Sequence, residues 1–283
     1  MPLAAAIPFY LATACYIAAA ALALAYLQSS VERTLFFAKR LAAVGNIGLL
    51  IVFAYRWQEF RLVPLTGTGD SLNLFLVLCT GVMLLVQRDA RMRPLLVYYL
   101  PALAVLAAVN GAVAPKHLGE APVALNGLLL TVHVGLVFLS FALFLVASLT
   151  SLGYVVKARR LKSHTTTGFV ATKLPSLELL DRHLYRLIGA GYPAFVVTAV
   201  FGLLWAWAER DMLGTYWFVS PKILLSLGMV ALYAFSFHVR RFGFLRGPKL
   251  AYVVFFGVMF LLVTYLAMGV LQLEGYTFLE DVT

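Results

Sequence analysis

Charge is scarce in this sequence. Asp, Glu, Lys and Arg supply 12% of its 283 residues, about half the share found in a soluble domain. Cysteine is nearly absent, at two residues and no CxxC pair. That excludes a disulfide framework, a cysteine zinc site and a dithiol redox centre. Cys15 and Cys79 both fall inside apolar runs and read as buried structural thiols. No nucleotide loop, metal cluster or nucleophile–base arrangement is evident, so catalysis by this chain alone is not expected.

What is abundant is apolar surface, at 63% of residues. A water-soluble fold of this size has no means of hiding so much, whereas a lipid bilayer does. The apolar runs are continuous rather than alternating, which predicts helices and not a β-barrel. Each spanning helix needs about 20 such residues. The runs lie near 5–27, 39–56, 72–88, 95–114, 125–156, 186–208, 222–240 and 250–272. The expected fold is therefore all-α, a polytopic membrane protein of about eight spans. The run at 125–156 exceeds the bilayer and is expected to tilt or project. The first run has no basic lead-in, so it is expected to be retained rather than cleaved as a signal peptide.

The formal net charge of +10 would point to nucleic acid in a soluble protein. Here no nucleic-acid partner is expected, because the charge alternates with the loops. Residues 28–40, 88–94, 157–186 and 240–249 hold 17 of the 22 basic residues. Arg56, Arg61, Lys116, Arg210 and Lys222 are the remainder. The positive-inside rule then makes the first set cytoplasmic and puts both termini outside. A multi-pass location in the cell (inner) membrane is expected, with the lipid bilayer as a partner. One cytoplasmic segment has more pattern than a loop. After a polar, flexible-looking stretch at 163–173, Leu177, Leu180, Leu184 and Leu187 share one helical face and Glu178, Arg182 and Arg186 the other. Ser176 can cap this helix after Pro175. It reads as an amphipathic interfacial helix before span six, or as an extension of that span.

Two titratable groups fall inside spans, where an ionisable side chain is a functional candidate by default. His133 lies about 12 Å along span five from its outer end, and His238 about 24 Å along span seven. The alternatives are a helix-packing histidine for His133 and a snorkelling interface residue for His238. His117, His164 and His183 are expected to be solvated. The segment 202–222 holds three of the four tryptophans, Trp205, Trp207 and Trp217. An aromatic belt explains Trp205 and Trp207. Tyr216-Trp217-Phe218 is denser than a belt requires and suits a flat apolar ligand. Ser220 and Pro221 are suited to begin span seven as N-cap and first helical residue.

These segments resemble the cytochrome c assembly proteins of the CcsA/CcmC/HemX type across about 125–272. The resemblance rests on His133-Val-Gly-Leu-Val-Phe-Leu-Ser-Phe141, on 174–188, and on Gly-x-x-Trp-Ala at 202–206. It continues through the tryptophan-rich pattern Gly214-Thr-Tyr-Trp-Phe-Val-Ser-Pro-Lys-Ile223, Tyr233 to Arg240, and Arg246-Gly247. It implies two regions, a four-span part at 1–120 and an assembly-like core at 121–283. It implies a haem-handling membrane protein of cytochrome c maturation, with haem b as the suspected cofactor and other maturation or membrane subunits as partners. Carried over by position, His133 and His238 are haem-iron ligand candidates, on separate irons because their depths differ. Trp205, Tyr216, Trp217, Pro221 and Lys222 are carried over as the haem-facing loop. Val219, Ser220 and Ile223 replace the pattern's Trp, Asp and Glu, and 273–283 holds no histidine. These departures lean toward a HemX-like branch, a membrane regulator or assembly partner without catalytic activity.

Overall fold

The computed structural model describes residues 3–61, 63–65, 68–117, 128–163, 172–208, 210, 218, 221–241 and 248–270. Eight long helices account for nearly all of them: α1 (Leu3–Ser29), α2 (Glu32–Phe60), α3 (Thr68–Val86), α4 (Leu96–His117), α5 (Leu128–Lys162), α6 (Leu177–Ala208), α7 (Pro221–Arg241) and α8 (Pro248–Val270). A 3-10 helix, Ala90–Leu95, precedes α4. No strand occurs among the described residues. The chain is an all-α, multi-pass membrane protein. Among the described residues, α1 to α6 are long and apolar enough to cross a membrane, and Ile223–His238 and Pro248–Phe260 are shorter apolar stretches within α7 and α8. Such runs fold as helices because lipid offers no hydrogen-bond partner, so each backbone group must be satisfied within its own segment.

The helices alternate in direction. One end of the bundle carries the turn at 87–95 with the basic ends of α5 and α7; the other carries the last turns of α2 and α6, with Trp57, Trp205 and Trp207, and the starts of α3 and α7. They are called here the basic end and the aromatic end. In the first half α1 packs on α2 and α4, and α3 on α2, α4 and α5. In the second half α5 packs along α6 and α8, and α7 on α6 and α8. Small residues set the closest approach. A methyl at Gly48 would lie 3.0 Å from the Pro8 carbonyl oxygen of α1, the close backbone contact that membrane helix pairs favour.

Polar side chains tie α1, α2 and α3 together at successive levels. Asn73 Nδ2 donates to the Leu49 carbonyl at 3.2 Å. Deeper in, Thr80 Oγ1 donates to Leu76 O at 2.8 Å and lies 2.8 Å from the Tyr16 hydroxyl of α1. At the basic end, Lys39 Nζ donates to the Gln87 carbonyl at 2.9 Å.

The amphipathic segment at 177–187 is the first three turns of α6 itself, one helix of 32 residues. Its cap follows the sequence: the Leu179 N–H donates to Ser176 Oγ at 3.3 Å. Leu180, Leu184 and Leu187 are buried against protein. α5 is 35 residues long, about 52 Å at 1.5 Å per residue, so its basic end projects beyond a bilayer core. There Lys157 Nζ donates to the Leu174 carbonyl at 2.5 Å and anchors the start of α6. Cys79 is buried and Cys15 half-buried, both as free thiols.

Candidate functional site

The site begins where α5 and α6 face each other toward the aromatic end. Residues 131–139 of α5 are all half-buried, whereas the next turns bury Ala142, Phe144, Val146 and Ala147. The stretch around His133 is thus less enclosed than the middle of α5. His133 Nδ1 lies 2.8 Å from the Thr198 carbonyl oxygen of α6. A carbonyl only accepts, so Nδ1 carries the proton and donates. In the neutral tautomer that donates from Nδ1, the ring's lone pair is on Nε2. Gly202, one turn further along α6, lies under the imidazole. A methyl there would sit 2.6 Å from Cε1 and 3.1 Å from Nδ1.

Aromatic side chains form a layer on the basic-end side of His133. Phe138 of α5 meets Phe75 of α3 at 6.4 Å. Phe141 and Phe144 both meet Phe195 of α6 at 5.8 Å. Phe144 stacks on Tyr233 of α7 at 3.5 Å, with planes 6° apart. Two buried hydroxyls here, on Thr198 and Tyr233, have no hydrogen-bond partner among the described residues. Such groups cost free energy unless something satisfies them. The layer is apolar and aromatic, packed ring against ring, with these two unsatisfied hydroxyls at its edge.

His238 is placed elsewhere. It is exposed near the basic end of α7, and its Nδ1 donates to the Ala234 carbonyl one turn back at 2.8 Å. Its ring stands edge-on to Tyr192 of α6 at 5.9 Å. Beside it, Phe237 stacks on Tyr185 at 5.8 Å and on Tyr192 at 5.4 Å. α6 serves as a ruler between the two histidines. Tyr192 precedes Thr198 by six residues, about 9 Å along the axis and about 120° around it. The structure does not bring His133 and His238 together.

Trp205 is half-buried on α6, about one turn beyond Gly202 and two beyond Thr198. Trp207 is exposed, with the Arg210 guanidinium 5.0 Å from its ring centre. Pro221 opens α7, as its sequence position foretells, with Lys222 next. Tyr216, Trp217, Val219 and Ser220 lie outside the described residues, as do His164 and most of 163–173.

Two features escaped the sequence reading. Arg56, taken as an external loop charge, is inside α2, and its side chain is 2% exposed and paired with Asp70 of α3. His183, expected to be solvated, is instead buried: its Nε2 lies 3.5 Å from Asp89 Oδ2, in the turn between α3 and α4. Arg91 also pairs with Asp89, at 2.8 Å. Hydrogen bonds from Arg91 are the main reason the Asp89 carboxyl is held well below the usual carboxylate range. Neither partnership has a sequence signal, because in each the two residues belong to different elements.

The family model described as "Cytochrome C assembly protein" matches residues 65–274. The match begins just before α3, so it takes in two helices in which the sequence reading found no motif. Curated relatives carry the name cytochrome c biogenesis protein CcsA. That of Synechococcus sp. (strain CC9902) is 29% identical over 84% of this chain and 85% of its own. That of Synechococcus sp. (strain CC9311) is 28% identical over 91% of this chain and 93% of its own. That of Heterosigma akashiwo (strain NIES-293 / 8280G21-1) is 25% identical over 86% and 85%. No solved structure matches the chain at a significant level. A match that starts just before α3 and runs through α8 covers most of the sequence, and on that ground this chain belongs to the cytochrome c assembly protein family.

Proposed function

We propose that this protein acts in cytochrome c maturation by holding haem at the outer face of the cell membrane and presenting it for transfer. The observation that carries this reading is the state of His133. Its Nδ1 proton is directed to the Thr198 carbonyl, which leaves Nε2 as the atom with the lone pair that an iron ligand requires. Haem would be cargo here, and His133 its ligand on the aromatic side of the membrane. Trp205, Tyr216, Trp217, Pro221 and Lys222 would border the ring. The neighbouring aromatic layer and its unsatisfied hydroxyls are compatible with that cargo. The alternation of basic segments supports an orientation with the aromatic end outside. His238, exposed at the other end, would serve a second iron rather than the first, since its partner Tyr192 sits at another level of α6.

The test is genetic. Cells producing His133→Ala should accumulate the membrane protein but lose c-type cytochromes on a haem-stained gel. Normal cytochrome levels in that strain would end this reading.

A second reading, a HemX-like membrane regulator or assembly partner without catalytic activity, is favoured by the built contacts at the basic end. Lys157 and Asp89 fix the start of α6 from two sides. Under it, Asp89→Ala would abolish function while any haem spectrum stayed intact.

A further inference from the structure

We infer that Gly202 and the Thr198 carbonyl form a socket that fixes the position and the tautomer of the His133 ring, so that Gly202 is a positioning residue for the iron ligand. This rests on the reading of His133 as a haem ligand.

Three ring atoms lie over Gly202. A methyl at that position would be 2.6 Å from Cε1, 3.1 Å from Nδ1 and 3.4 Å from Nε2 of His133. Real side-chain carbons do not approach as closely as the first distance, so one of the two groups must move. The helix backbone is the stiffer of them. The imidazole would therefore swing away, and the 2.8 Å bond from Nδ1 to the Thr198 oxygen would lengthen or break. In a regular helix that oxygen also accepts the N–H of residue 202, so ring and glycine converge on one backbone group. The missing side chain thus has a steric reason, although alanine is the better helix former.

Outer-sphere groups of this kind hold a ligating imidazole in one tautomer and orientation, and their loss weakens metal binding by about 10–100-fold. Gly202→Ala should act through the ligand and not through the helix. Gly81 of α3 provides the control, since a methyl there meets nothing within 4 Å.

The experiment uses the full chain purified in detergent as wild type, Gly202→Ala, His133→Ala, the double variant and Gly81→Ala. Gly202→Ala should retain at least about 10-fold less haem than wild type, with a displaced Soret maximum. It should also lower the melting temperature in the wild-type background and not in the His133→Ala background. Gly81→Ala should match wild type in haem content and melt no lower than wild type. A wild-type Soret position and haem content in Gly202→Ala would overturn the inference. So would an equal melting loss in both backgrounds, which would mean that Gly202 answers to something other than the imidazole. If the wild type itself binds no haem, the ligand reading fails, and the melting comparison decides the socket alone.

Discussion

Arg56 and Asp70 meet through two parallel hydrogen bonds, Nε to Oδ1 at 2.7 Å and Nη2 to Oδ2 at 2.8 Å. Their side chains are 2% and 6% exposed, so the pair closes the α2–α3 hairpin in a dry setting. The Arg56 guanidinium also lies 5.0 Å from the Phe60 ring centre. Removing one partner leaves a buried charge without its counter-ion, which costs about 3–5 kcal/mol. Arg56→Ala and Asp70→Ala should each lower the melting temperature strongly. Replacing both with apolar residues of similar volume should restore most of the loss. A double variant as unstable as the sum of the singles would contradict this account of the hairpin.

The Tyr16 hydroxyl is expected to contribute little despite its depth. It lies 2.8 Å from Thr80 Oγ1 and donates to Asn46 Oδ1 at 3.4 Å. Membrane hydrogen bonds of this kind average about 0.6 kcal/mol, because alternative partners remain in the bilayer-inserted unfolded state. Tyr16→Phe should therefore shift detergent melting only slightly. A loss above about 2 kcal/mol would assign the three-helix contact a larger role.

The Asp89 contacts carry a pH dependence of defined sign. The carboxyl is depressed by its hydrogen bonds with Arg91. A depressed acid adds stability that is complete above its unfolded pKa and is lost only as pH falls through the folded one. The melting difference between wild type and Asp89→Asn should therefore persist from about pH 8 down to about pH 5. It should be small, under about 1 kcal/mol, for a contact this near the surface. A difference that vanished between those pH values would contradict the assignment.

Much of the fold is legible because lipid imposes a simple rule. The apolar run at 39–56 became Glu32–Phe60, and 125–156 became Leu128–Lys162. The charged ends were underestimated, since helices continue past the apolar run where Arg and Lys stems still pack. His133 is legible as an isolated imidazole within a span. Its orientation is not, because Thr198 and Gly202 lie 65 and 69 residues further on and only helix packing brings them to it. Arg56 misled for the opposite reason. A charge near a span end reads as solvated unless its partner is known, and Asp70 reaches it only through the turn of the hairpin. His183 was obscured in the same way by Asp89, 94 positions earlier.

The central claim is that His133 ligates haem. The most direct test is the absorption spectrum of the full-length protein purified from haem-replete cells, oxidised and then reduced, beside that of His133→Ala. The account predicts a Soret band in the wild type that is displaced or lost in the variant. A colourless wild-type protein, or identical haem spectra for the two, would contradict it.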